Sequence, residues 1–274
     1  MGTVCVELTV RDDRRLLDAL DSLGAQRRLP DRILVAASTE TPEPLLEEAR
    51  HRIARPPVET ARFGGGVVDA RAGAVALLHE DTTAFLDSDE RAPPEWLATI
   101  VAPVESGVAA FAGGPTRPLR PAENSIERYY ALLEESIYRD LVPRSVAYVP
   151  LQNTAWKTSV LRSLGFDPRI PFAEDHDIET RAARAGAQGV FVPDAFVYHD
   201  KSNETSLLRW ARKRYRYLVA MAMSLLKNGE LYGRLEERRT PVRHPLRYIE
   251  SAMKPFALLH ATVRWRRLRR TPVD

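Results

Sequence analysis

Asp87-Ser88-Asp89 follows directly on the apolar run Thr82-Thr83-Ala84-Phe85-Leu86, and a second acidic cluster, Glu174-Asp175-His176-Asp177, lies far downstream. A short β-rich run of this kind reads as an interior strand of an α/β sheet, and such sheets bind ligands at their carboxyl edge. Asp87 and Asp89 would sit on that edge. Carboxylates one residue apart hold Mg²⁺ or Mn²⁺ poorly alone, because the ion completes its shell with water and substrate phosphates. The pattern implies a substrate that carries a diphosphate. Asp-Ser-Asp is also ordinary turn chemistry, so the triplet alone leaves a solvated turn open.

Residues placed in this way need a sheet behind them. Val4 to Val10 reads as a buried first strand, after which Asp12-Asp13 opens a helix with Leu16, Leu17, Leu20 and Leu23 at helical spacing. A strand at Ile33 to Ala37 follows, then helices at Pro44 to Ile53 and Val67 to Leu78, the strand at Thr82 to Leu86, a helix from Trp96 to Val104 and a strand from Gly107 to Ala112. This alternation predicts an α/β fold with a doubly wound, mainly parallel sheet and helices on both faces. Beyond Pro121 the rhythm becomes α+β: a helix from Glu123 to Leu141, a strand at Ala147 to Val149, helices at Ala155 to Leu164 and Asp175 to Ala185, and strands near Val190 and Val197. Helices from Ser206 to Leu226 and from Leu246 to Leu268 close the chain.

At 274 residues the chain can bury a sizeable core. Its single cysteine, Cys5, excludes an intrachain disulfide and a zinc cluster of thiolates, and points to a reducing cytoplasm. No signal peptide or apolar run of spanning length is evident. The net charge of +3 hides a segregation: residues 1–200 carry 22 Lys+Arg against 31 Asp+Glu, and residues 201–274 carry 18 against 6. An acidic body with a basic tail suggests a polyanionic partner for the tail, or a solvated helical surface.

Phe85-Leu86-Asp87-Ser88-Asp89-Glu90 followed by Pro94-Glu95-Trp96-Leu97 resembles the metal-binding segment of the family 2 glycosyltransferases, which have the nucleotide-sugar-binding GT-A fold; the likeness covers roughly residues 3–220. It implies a divalent cation, Mg²⁺ or Mn²⁺, on Asp89, with Asp87 beside it on ribose or metal-bound water. Arg71, where the family commonly has an arginine, would neutralise the donor diphosphate through bidentate hydrogen bonds. Glu174-Asp175 is similar to the family's acceptor-side pair, which gives Asp175 the role of catalytic base and sets Glu174 on the acceptor side. Gln152-Asn153-Thr154-Ala155-Trp156-Lys157 is similar to the loop and helix start before that base, so Asn153 would hold acceptor or sugar, or cap the helix. His199 would supply a further metal or diphosphate ligand. Thr9 is similar to the first-strand threonine of the nucleotide pocket, and Arg209-Trp210 resembles part of an acceptor motif.

There are departures. Ala36-Ala37-Ser38 stands where relatives carry an acidic pair that reads the nucleotide base, and the leading Gln of the processive synthases' acceptor motif is missing, which favours single transfer. Gly64-Gly65-Gly66 has no following Lys-Ser/Thr and reads as a turn rather than a P-loop. The expected organisation is a nucleotide-sugar-binding half at 1–115, an acceptor-binding half at 116–205 and a basic helical extension at 206–274. The expected activity is metal-dependent, inverting sugar transfer from a nucleotide-diphosphate donor to a glycan or lipid-linked acceptor. In the tail, Trp210, Tyr215, Tyr217 and Trp265 interleave with arginines and lysines, including Arg269 and Arg270, a composition suited to an anionic membrane surface. No nucleic-acid-binding signature accompanies it. The expected location is cytoplasmic, peripheral on the membrane. A non-catalytic sugar-nucleotide-binding domain and a membrane-recruited adaptor are the competing readings.

Overall fold

The computed structural model describes residues 2–139, 145–146, 149–229 and 242–268. β1 (Val4–Val10) is buried along its whole length and pairs in parallel with β2 (Arg32–Ala37) on one side and β4 (Thr82–Leu86) on the other. Strands sandwiched on both faces lose the polar alternation of half-exposed ones, which is why these segments read as near-continuous apolar runs. β3 (Val58–Arg62) extends the parallel set beyond β2. The chain therefore winds outward from β1 through β2 to β3 and returns to the other side of β1 as β4. The carboxyl ends of β1 and β4 flank the switch point where a crevice must open.

Past β4 the sheet becomes mixed. β9 (Asn153–Lys157) runs antiparallel between β4 and β6 (Phe111–Gly113), then β10 (Gly189–Phe191) lies parallel to β6 and β8 (Ser145–Val146) closes the edge. A small second sheet sets β11 (Val197–His199) between β5 (Glu90–Arg91) and β7 (Thr116–Pro118).

The alternation of β1 side chains divides the core. Val4, Val6, Leu8 and Val10 pack with α1 (Leu16–Gly24), α2 (Glu43–His51) and α4 (Trp96–Glu105). Cys5 faces the other way, towards α3 (Val67–Ala74), α6 (Thr158–Leu164) and α7 (Glu174–Arg184). By the same parity Glu7 and Thr9 belong to that second face. α5 (Ser125–Tyr138), capped by the Asn124 side chain on the Ile126 and Glu127 N–H groups, meets α8 (Leu207–Asn228) and α9 (Pro245–Leu268) through Tyr129, Trp210 and Leu246. α8 and α9 also enclose Ile170 and Ala173, the approach to α7.

Several boundaries differ from the sequence reading. The expected helix from Ala155 begins only at Thr158, because Asn153–Lys157 is drawn into the sheet between two strands that need a partner. The expected strand at 107–112 is Phe111–Gly113. Residues 147–148 of the expected short strand, the end of the helix at Leu141, and Arg269 and Arg270 lie outside the described residues.

Candidate active site

Arg71 is the organising cation of the crevice. It lies on α3, is 5% exposed, and extends its guanidinium between the ends of β1, β4 and α7. Nη2 donates to Asp87 Oδ1 at 2.9 Å, Nη1 to Glu174 Oε1 at 2.9 Å and Nε to Thr9 Oγ1 at 3.2 Å. Glu7 Oε2 stands 4.0 Å from Nε. Burial alone would lower the arginine's pKa, but the carboxylates of Asp87, Glu7 and Glu174 outweigh it and hold the group cationic. Thr9 spends its hydroxyl in both directions, donating to Glu7 Oε1 at 2.7 Å while accepting from Arg71. It braces Arg71. Glu7 is fully buried, and burial pushes its carboxyl up to about 7 against the pull of Arg71.

Asp89 turns the other way. Its Oδ2 is 3.3 Å from His199 Nε2 and 3.5 Å from Arg15, and these cations together with Lys201 hold its carboxyl well below the usual range despite burial. His199 ends β11, opposite Glu90 in β5, so the small sheet exists at the right place to bring it to Asp89. Its Nδ1 faces Glu134 Oε1 at 3.2 Å, and its Nε2 also has Lys201 Nζ at 2.7 Å. Burial and Lys201 depress the imidazole, yet Asp89 and Glu134 prevail and raise its pKa to about 10.

Asp89 and His199 fit a divalent cation. An oxygen and an imidazole nitrogen converge while a carboxylate stands behind the other ring nitrogen, the outer-shell arrangement that orients a ligating histidine. Among the described residues no three His, Cys, Asp or Glu side chains form a metal-holding group. The chain thus offers two ligands and leaves the remaining positions to water and substrate oxygens, as Mg²⁺ sites commonly do. Asp87, expected beside the cation on ribose or metal-bound water, commits Oδ1 to Arg71.

Thr9, Arg71, Asp87, Asp89, His199 and Lys201 line a cleft of about 460 Å³, a volume suited to a small-molecule ligand. The same cleft is lined by Gln152, Phe172, Glu174 and Asp175, by Tyr130 from α5 and by Lys213, Arg214 and Tyr217 from α8. Asp175 stands in the first turn of α7, its Oδ1 accepting the His176 N–H at 2.7 Å. Glu174 beside it is nearly enclosed, and burial together with Asp175 raises its pKa despite Arg71. Phe172 is held at φ +71°, a conformation a bulky side chain rarely adopts. Such strain persists where surrounding structure over-determines it, frequently at functional sites.

The expected site residues separate into two groups. Thr9, Arg71, Asp87, Asp89, Glu174, Asp175 and His199 converge on the cleft. Asn153, Arg209 and Trp210 do not. Asn153 is fully buried and its amide is committed to the fold, accepting from Trp96 Nε1 at 2.7 Å and donating to the carbonyls of Pro115 and Ala195 at 3.0 and 2.8 Å. Trp210 is fully buried, edge-on to Tyr129, and Arg209 is exposed on the first turn of α8 outside the cleft wall. The helix meets the cleft one turn later, at Lys213, Arg214 and Tyr217. Helical spacing from the apolar Trp210 to Arg214 could have flagged that face. Glu7, Glu134 and Lys201 were missed as well: an acid inside an apolar strand, an acid on a helix and a lysine just past a short strand carry no motif.

The family model for "Glycosyl transferase family group 2" matches residues 83–269. The chain belongs to that family. Over 157 residues it is 32% identical to the pre-mycofactocin glycosyltransferase of Mycobacterium tuberculosis, a match that covers 55% of this chain but only 33% of that relative. Among solved structures it is similar to the mannosyltransferase PcManGT from Pyrobaculum calidifontis in complex with GDP-Man and Mn²⁺, with a TM-score of 0.64 and 17% identity over 100% of this chain and 76% of that one. It is also similar to S. aureus TarS 1-349 in complex with UDP-GlcNAc, with a TM-score of 0.56 and 16% identity over 96% and 72% of the two chains. At these identities the likeness establishes the fold, which is the GT-A fold of the family. Among the described residues no helix is long and apolar enough to cross a membrane.

Proposed function

We propose that the protein transfers a sugar from a nucleotide-diphosphate donor to an acceptor hydroxyl with inversion at the anomeric carbon. The observation that carries this reading is that one cleft gathers Asp89, His199 and Asp175, with Arg71 bonded to both Asp87 and Glu174. Asp175 takes the proton of the acceptor hydroxyl as its oxygen attacks the anomeric carbon, and the bond from that carbon to the diphosphate oxygen breaks on the far face. With Asp175 as the base and Glu174 bonded to Arg71, no covalent sugar intermediate is needed, unlike a retaining glycosidase. Arg71 and Lys201 offset the charge that develops on the departing diphosphate, and stabilisation confined to the transition state is what lowers the barrier. A divalent cation on Asp89 and His199, when bound, supplies further charge neutralisation there.

The nucleotide-sugar complexes of the two structural neighbours support the donor class, and the Mn²⁺ of one supports the cation. The test is a panel of UDP-, GDP- and dTDP-sugars with Mn²⁺ or Mg²⁺. Donor binding is read by thermal shift and turnover by nucleotide release. Asp89→Ala is expected to abolish cation-dependent donor binding. Asp175→Asn is expected to keep donor binding and lose about 10²–10⁴ in kcat, the usual contribution of a general base. Full turnover in Asp175→Asn would remove the base from the mechanism, and binding of no donor by the wild type would remove the reading altogether.

A further inference from the structure

The two side chains that fit a divalent cation each face a cation of the protein's own. Arg15 stands 3.5 Å from Asp89 Oδ2, and Lys201 Nζ stands 2.7 Å from His199 Nε2. The two are held differently. Arg15 is tied down, because its guanidinium forks onto the Asp13 carboxylate through Nε and Nη2 and donates from Nη1 to the Asp200 carbonyl. Lys201 pairs with Glu134 Oε1 at 3.2 Å through a flexible four-carbon stem.

The backbone under Lys201 is fixed. Asp200 donates its N–H to the Asp89 carbonyl at 2.9 Å, and its carboxylate accepts the Ser202 N–H at 2.8 Å. The segment that carries Lys201 is thereby joined to the one that carries Asp89, which keeps the ammonium within reach of the site. Its side chain borders both the cleft and a smaller cavity of about 20 Å³, lined also by Arg120, Glu127 and Glu134, and so has space to move into. Metal ions bonded to imidazole stand about 2 Å from the nitrogen, so an ion on His199 Nε2 would lie no more than about 5 Å from the ammonium where it now stands. Like charges that close repel strongly in a site as buried as that of His199.

We propose that Lys201 is a competitor built into the cation site: in the donor-free cleft its ammonium guards His199, and the diphosphate of the donor draws it off, so that cation and donor bind cooperatively. This role rests on the cation site at Asp89 and His199 proposed above. A phosphate oxygen offers Lys201 a partner other than the nitrogen that the ion needs. Each ligand then removes an obstacle to the other, and the coupling is reciprocal.

The test is Mn²⁺ affinity by calorimetry on the full chain, first without nucleotide, for wild type and for Lys201→Met, which keeps the length of the stem and loses the charge. Lys201→Met is expected to bind Mn²⁺ about tenfold tighter, a gain that structural damage to the site does not produce. Lys213→Met makes the same change of net charge elsewhere in the cleft lining and is expected to leave the affinity little changed. With UDP or GDP added, the nucleotide is expected to tighten Mn²⁺ binding by a factor about ten times smaller in Lys201→Met than in wild type. Thermal melting checks that the variants fold. Mn²⁺ binding by Lys201→Met no tighter than by wild type overturns the proposal, and so does equal tightening in Lys213→Met, which would mark a general effect of charge. Asp89→Ala separates that failure from failure of the cation site: if Mn²⁺ binding by Lys201→Met survives a further Asp89→Ala, the ion sits elsewhere and the competitor falls with the site.

Discussion

Replacing Glu7 by Gln tests the electrostatics of the cleft floor without disturbing its shape. Glu7 is fully buried in the middle of β1, and burial raises its carboxyl from an ordinary 4.5 to about 7, with Arg71 and the Thr9 hydroxyl resisting. A carboxyl whose folded pKa lies above its unfolded value binds more proton in the fold, so it lends stability below about pH 4.5 that is lost as pH rises through about 7. A shift of this size corresponds to about 3 kcal/mol at 1.4 kcal/mol per unit. Gln keeps an oxygen to accept the Thr9 hydroxyl and cannot ionise. The difference in unfolding free energy between Glu7→Gln and wild type is therefore expected to swing by about 3 kcal/mol in favour of the variant between pH 4.5 and pH 8.5. Urea denaturation of both proteins at the two pH values, followed by tryptophan fluorescence, measures it. Taking the difference removes the pH dependence that the rest of the molecule shares. A difference that does not change with pH would refute the reasoning, because it would mean that Arg71 holds Glu7 ionised throughout.

Gly114→Ala is expected to destabilise the fold by about 3 kcal/mol in a thermal melt, because an added Cβ would come within 1.9 Å of the Ala195 carbonyl, a backbone atom that cannot step aside. Arg32→Met removes the cation from a buried pair with Glu80 at 2.6 Å and is expected to cost about 3 to 5 kcal/mol in chemical denaturation, leaving donor binding unchanged because the pair lies outside the cleft lining. Lys213→Ala, on the cleft wall, is expected to raise the acceptor KM with kcat little changed, whereas Arg209→Ala, outside it, is expected to leave both constants as they are. Equal effects of the two would return the acceptor wall to the start of α8.

The parallel half of the fold was legible because buried parallel strands leave continuous apolar runs, as in Val4–Val10 and Thr82–Leu86. β3 escaped notice because Val58-Glu59-Thr60-Ala61-Arg62 is a half-exposed edge strand with little apolar signal. β5 and β7 are two or three residues long and gain their hydrogen bonds from β11 across the fold, so nothing local marks them, whereas β11 itself was expected near Val197. Asn153 shows how the site reading went astray. Its neighbours Gln152 and Thr154 suggested a polar loop at a binding edge, but an amide that accepts from an indole and donates to two carbonyls is a splice between β9, α4 and the chain leading into β11. A buried amide demands partners. Only the fold supplies their identity.

The charges around Arg71 give a physical reason for the rest of the donor wall. One guanidinium contacts Asp87 and Glu174 and stands near Glu7, while Asp89 and Asp175 line the same cleft. Were Arg71 alone to meet a diphosphate, it would already be outnumbered by carboxylates, and the donor would enter against net negative charge. Lys201 and His199 at the end of β11 and Arg15 at the start of α1 are gathered around Asp89, which redresses the balance at one point. Lys213 and Arg214 add two further cations to the cleft lining, so that one small cavity rich in carboxylates can still tolerate a leaving diphosphate.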